Sequence, residues 1–187
     1  SFLDDTFEKL GKKKIGLFRA DSGFYDKKVF NYLEKKSINY IIAARMYAPI
    51  QHNIASRHNW LKMADGLEIA DTNYKSPNWQ DSKRMIIIRQ YVPTRPKATG
   101  RTLSLFKDEG IYRKYRYSCF ITNLNLPAEQ IWTLYRQRAD AENRIKELKY
   151  DFGSSSFNVN GFYATEAALN FVMIAYNIIS LFRQVVL

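Results

Sequence analysis

The chain has 187 residues, 46% hydrophobic and 15% aromatic, and its 29 Lys and Arg against 18 Asp and Glu give a net charge of +11. This excludes a disordered polymer and leaves length for one domain with a substantial core, or one domain carrying a large insertion. The charge favours a polyanionic partner, nucleic acid first, by counterion release, while the single cysteine, Cys119, excludes an intrachain disulfide and a Cys-based structural zinc site and fits a reducing cytoplasm.

In chain order, residues 3–10 pattern a short helix stopped by Gly11. Residues 15–20 are a short apolar run that reads as a buried strand, with Asp21 just past its end and Ser22-Gly23 permitting a turn. Residues 25–36 set Val29, Phe30, Tyr32 and Leu33 among charges, the pattern of an amphipathic helix packed on a sheet. Residues 39–45 read as the next strand, and a strand–helix–strand unit normally makes parallel neighbours.

From 48 to 113 the pattern changes. Pro49, Pro77, Pro93 and Pro96 are scattered, and the regular pieces look like strands: 67–74, 84–92, and 102–106 paired with 111–117. This is expected to be a β-rich insertion. Residues 117–123 then return to the main sheet, and the turn Asn125-Leu126-Pro127 starts one long helix that runs to about Phe152 and stops at Gly153. The last helix is expected over 165–186. It is apolar enough to mimic a membrane span, but Asn170, Asn177, Arg183 and Gln184 interrupt it, so a buried core helix is the expectation.

On a continuous helix, Tyr135, Arg138, Glu142 and Lys149 fall within an arc of roughly 60°. One carboxylate is thus flanked by a phenol, a guanidinium and an ammonium, beside an apolar stripe of Leu134, Ala141, Ile145 and Leu148. A solvated, salt-bridged helix face is the plainer reading of such spacing. Asp21 likewise has a plainer reading as a turn former. Its place past a strand end favours more, because ligand sites in open α/β sheets lie beyond the carboxyl ends of strands. If the strand end and that helix face meet, the two acids suit a shared Mg²⁺, which takes oxygen ligands. Trp60 and Trp79 suit either base stacking or core packing, and His52 and His58 read as surface residues.

The spacing Tyr-x2-Arg-x3-Glu-x6-Lys from Tyr135 to Lys149 resembles the signature of the DDE transposases of bacterial insertion sequences. Arg19-Ala20-Asp21-Ser22-Gly23-Phe24-Tyr25 resembles that family's segment for the second catalytic aspartate. Ile121-Thr122-Asn123-Leu124, Phe162-Tyr163-Ala164 and Ala175-Tyr176-Asn177-Ile178 add to the likeness in the family's order.

The resemblance implies an α/β fold with an RNase H-like catalytic core and a β-rich insertion before the final catalytic helix: residues 1–47 and 114–187 for the core, 48–113 for the insertion. It implies Asp21 and Glu142 as catalytic metal ligands for two Mg²⁺ or Mn²⁺ ions, and Tyr135, Arg138 and Lys149 as DNA contacts. The implied chemistry is DNA cleavage and strand transfer, at element ends and target DNA, by a homo-oligomer in the bacterial cytoplasm with the nucleoid and without a membrane partner. The family's first aspartate lies on a strand well upstream, whereas only 20 residues precede Asp21 here. The expectation is therefore the C-terminal part of a transposase, its core lacking the first strands, the strand at 15–20 left as an edge that invites oligomerisation, and the chain inactive alone. The competing classes are a non-catalytic DNA-binding module and another RNase H-like nuclease.

Overall fold

The computed structural model describes residues 2–93, 114–154 and 156–186. The described residues divide into two compact units, residues 1–135 and 136–187.

The first unit is built on a mixed six-stranded sheet. Its strands are β1 (Phe18–Ala20), β2 (Tyr40–Ala43), β3 (Leu61–Ala64), β4 (Leu67–Tyr74), β5 (Lys83–Tyr91) and β6 (Tyr115–Thr122), in the spatial order β1-β2-β6-β5-β4-β3. β1 and β2 run parallel, with Ala20 opposite Ile42, and every other pair is antiparallel. Helices α1 (Phe2–Leu10), α2 (Lys27–Lys35), α3 (Ala48–Ala55) and α4 (Ala128–Arg136) accompany it.

The run Met85-Ile86-Ile87-Ile88 is buried at all four positions, which is how a strand covered on both faces reads. Alternation sends Met85 and Ile87 to one core with Phe30, Leu33, Tyr40, Ile42, Ile50 and Ile54. Ile86 and Ile88 go to the other, with Ile41, Phe120, Ala128 and Ile131. Thus α2 and α3 cover one face and α4 the other. Asp26 caps α2 by accepting the Lys28 N–H at 2.7 Å, and Ser37, at φ 55°, takes the left-handed conformation just after the helix, where the Ile38 N–H bonds back to the Leu33 carbonyl.

The segment Thr122-Asn123 stitches β6 to β2. Thr122 Oγ1 donates to the Tyr40 carbonyl at 2.7 Å, and the Asn123 side-chain amide accepts from the Tyr40 N–H and donates to the Ile38 carbonyl. An amide side chain that offers both a donor and an acceptor prolongs the ladder past the last paired residue.

Four expectations change. The strand at 15–20 is ordered as strand only from Phe18, and residues 48–55 form helix α3, not strand. Pro49 there sits in the first helical turn, where its missing N–H costs nothing. The single long helix is two, α4 and α5 (Arg138–Tyr150), separated by a turn at Gln137. The last helix, α6 (Phe162–Val186), is mostly exposed and not buried. The strand expected at 102–106 lies outside the described residues, as do residues 111–113 of its partner; residues 115–117 belong to β6.

The second unit consists of α5 and α6. The α6 helix is long and apolar enough to cross a membrane, and only 6% of its most apolar stretch is buried. Phe162, Tyr163, Phe171, Ile178, Leu181 and Val185 are among its exposed side chains, and Tyr176 is its buried residue. Among the described residues of this unit the thirteen-residue, strongly charged α5 packs on it, with the Phe152 ring 5.5 Å from that of Tyr176, while Glu166, Asn170, Asn177, Ser180 and Arg183 share one side of the helix and the broad apolar side opposite them is exposed.

Candidate functional site

Asp21 follows β1 in extended conformation and caps the 3₁₀ turn Ser22–Phe24, its Oδ1 accepting the Gly23 N–H at 2.8 Å. The plain turn-forming role is therefore real. The carboxylate is also exposed at the carboxyl end of a strand whose parallel neighbour ends beside it. Gly23 is closely fitted to it, since a Cβ there would lie 2.9 Å from Asp21 Oδ1.

Arg19 lies on β1, two residues before Asp21. Arg19 Nη1 donates to the Leu134 carbonyl at 2.6 Å in the last turn of α4. A guanidinium satisfying a terminal helix carbonyl suits the negative end of the helix dipole. It ties the strand that carries Asp21 to the turn that carries Tyr135. Tyr135 is half-buried, its ring 4.3 Å from that of Phe120.

In the second unit, α5 carries Arg138, Glu142 and Lys149. At 100° per residue they share an arc of roughly 40°, so the one-sided stripe holds for these three, while Tyr135 belongs to α4. Glu142 is exposed and its Oε1 pairs with Arg138 Nη2 at 2.6 Å, an i,i+4 contact. Lys149 is exposed in the last turn. Of the expected apolar stripe, Ile145 is 57% exposed and Leu148 is half-buried.

A cluster at the opposite side of α5 joins it to α6. The Tyr176 hydroxyl donates to Glu147 Oε2 at 3.2 Å, Arg144 Nη1 donates to that hydroxyl at 3.3 Å, and Arg183 Nη1 donates to Glu147 Oε1. The Arg183 guanidinium, chiefly, holds the Glu147 carboxyl below the usual carboxylate range. Glu147 and Arg183 carry no motif that the sequence reading singled out, and their signal appears only when two helices are known to pair.

Other candidates resolve simply. Trp79 is buried among Tyr25, Phe30 and Tyr74, in edge-on and tilted ring contacts. Trp60 is half-buried with the Arg89 guanidinium 4.2 Å from its ring centroid. His52 and His58 are exposed. Cys119 is buried, and burial pushes its thiol up to about 12, so it is an inert core residue.

Among the described residues no group of three or more His, Cys, Asp or Glu side chains is placed to hold a metal ion. Asp21 and Glu142 are each an exposed carboxylate. That donor chemistry fits a hard cation such as Mg²⁺, which is commonly held by one or two carboxylates while keeping several waters.

The family model described as transposase DDE domain group 1 matches residues 5–187. None of the curated proteins compared matches the chain.

Proposed function

The chain belongs to the transposase DDE domain family, and on that premise we propose that Asp21 and Glu142 are carboxylate ligands for Mg²⁺ or Mn²⁺ in the cleavage and transfer of DNA strands at the ends of a bacterial insertion sequence. The family acts in transposition by cutting DNA, and its members generally use divalent metal ions. In this reading residues 1–47 and 114–187 belong to an RNase H-like core and 48–113 to an insertion whose strands extend the same sheet. The observation that carries the reading is Asp21: an exposed carboxylate at a strand's carboxyl end, fixed by the Gly23 N–H and tied through Arg19 to the end of α4.

When bound, such ions polarise the scissile phosphate and make the attacking hydroxyl more acidic. The protein's share is placement. The Gly23 N–H holds one Asp21 oxygen in a fixed direction. Arg138 holds the Glu142 carboxylate by a charge-assisted bond and can turn to a phosphate when DNA arrives, with Lys149 as a second phosphate contact on the same helix face. Tyr135, fixed against Phe120, serves as a contact to sugar or base. The working complex is taken to be a homo-oligomer on DNA.

The test uses the transposase carrying this domain and its element-end DNA. Asp21→Asn and Glu142→Gln should each lower Mg²⁺-dependent cleavage by more than about a hundredfold, beyond what outer-shell partners of a metal typically cost, while end binding persists. Arg138→Ala should reduce the salt slope of end binding by about one. Cleavage that survives Glu142→Gln at the wild-type rate sinks the proposal. The Arg138–Glu142 pair also favours a second reading, a non-catalytic DNA-binding module with a solvated basic helix. That reading requires end binding with no metal-dependent cleavage by the unmutated protein.

A further inference from the structure

We propose that Arg45 is a positioning residue for Asp21: its guanidinium clamps the carbonyls of the turn that Asp21 caps and so holds the carboxylate in the direction needed for a divalent cation. The inference rests on the assignment of Asp21 as a metal ligand. Arg45 follows β2, whose end lies beside that of the parallel strand β1. Its Nε donates to the Ser22 carbonyl at 2.8 Å and its Nη2 to the Gly23 carbonyl at 3.3 Å. Its Nη1 donates to the Tyr47 hydroxyl at 3.0 Å.

These contacts occupy all three guanidinium nitrogens. Two of them read adjacent carbonyls, a task for a planar fork that a lysine ammonium cannot copy. The turn is therefore gripped from two sides. Asp21 Oδ1 takes the Gly23 N–H at its start, and Arg45 takes the carbonyls of Ser22 and Gly23. A three-residue 3₁₀ turn has few bonds of its own: Phe24 N–H to the Asp21 carbonyl at 3.2 Å and Tyr25 N–H to the Ser22 carbonyl at 3.3 Å. Removing the clamp leaves those long bonds to hold the turn, and the carboxylate loses its fixed direction through the Gly23 N–H.

The test compares wild type with Arg45→Ala, Arg45→Lys and Tyr47→Phe. The Gly23 amide is followed by hydrogen exchange and by paramagnetic broadening on titration with Mn²⁺ alone. Arg45→Ala should speed exchange at Gly23 and raise the Mn²⁺ concentration for half-maximal broadening about tenfold. Arg45→Lys should fall between, and Tyr47→Phe should match wild type. In the full transposase, Arg45→Ala should raise the Mg²⁺ concentration for half-maximal cleavage while the rate at saturating Mg²⁺ stays near wild type, with the salt slope of end binding unchanged. Exchange and Mn²⁺ response within twofold of wild type in Arg45→Ala, or a reduced salt slope, overturns the clamp and leaves the Asp21 assignment standing. If the wild-type protein shows no Mn²⁺ effect at Gly23, the Asp21 assignment itself fails and the clamp falls with it.

Discussion

The two units hold their acidic residues in opposite ways. In residues 1–135 a sheet covered on both faces fixes Asp21 through backbone geometry: β1 is paired to β2, its Arg19 reaches the end of α4, and the turn after Asp21 is bonded on both sides. In residues 136–187 Glu142 rides on a helix with no buried large apolar side chain of its own among the described residues. Its partner helix α6 is joined to it through the polar cluster of Tyr176, Glu147, Arg144 and Arg183. One acid is thus set by a hydrophobic core and the other by a few ion pairs and hydrogen bonds. Stability and placement should respond to different perturbations in the two units.

The sharpest way to break that contrast is truncation of a large side chain in each. Phe30 is fully buried, within ring-contact distance of Tyr25, Tyr40 and Trp79. Phe30→Ala should cost about 3–5 kcal/mol in urea denaturation. Phe171, 73% exposed on α6, should cost no more than about 0.5 kcal/mol when changed to Ala. Equal losses would mean that α6 is as deeply packed as the sheet. Cys119 gives a local reading of the same difference. Its thiol, raised to about 12 by burial, should resist a thiol reagent at pH 8 until the first unit opens, and Phe30→Ala should speed its labelling while Phe171→Ala should not.

A smaller effect separates the units by pH. Because Arg183 depresses the folded pKa of Glu147, the contribution of that carboxylate is present above its unfolded value of about 4.3 and is lost as pH falls through the lower folded value. The pairing of α5 with α6 should therefore loosen below about pH 4, seen as faster amide exchange in α5, and Glu147→Gln should remove that dependence. Gly23→Ala should have a small effect on stability. Its Cβ displaces the Asp21 carboxylate, so the cap bond weakens at a cost of about 1 kcal/mol or less, and Mn²⁺ binding at Asp21 should weaken with little change in the denaturation midpoint.

Much of the first unit was legible because burial on both faces writes itself into composition. The apolar runs at 40–42 and 85–88 and the alternation around Phe30 and Leu33 point to covered strands and an amphipathic helix without tertiary knowledge. Asp21 stood out because a strand end, an acid and a Ser-Gly turn coincide. The break at Gln137 did not, since the helical spacing continues through it and no Gly or Pro marks it; the chain tightens there, with the Asp140 N–H bonding three residues back to the Gln137 carbonyl. Pro49 misled in the other direction, because a proline that starts a helix and one that turns a loop look alike in sequence. Arg45 was visible only as the end of a strand, since its partners lie 22 and 23 residues away. The exposure of α6 was hidden for the same reason: apolar composition tells that a helix seeks cover, not what supplies it.

The central proposal is that Asp21 and Glu142 are carboxylate ligands for Mg²⁺ or Mn²⁺. Mn²⁺ titration of the protein, followed by loss of the free-ion electron paramagnetic signal, tests it directly when wild type is compared with Asp21→Asn, Glu142→Gln and the double variant. Each single change should weaken Mn²⁺ binding about tenfold or more, and the double variant should bind no more tightly than the weaker of the two. Wild-type affinity in either single variant would contradict the assignment of that residue.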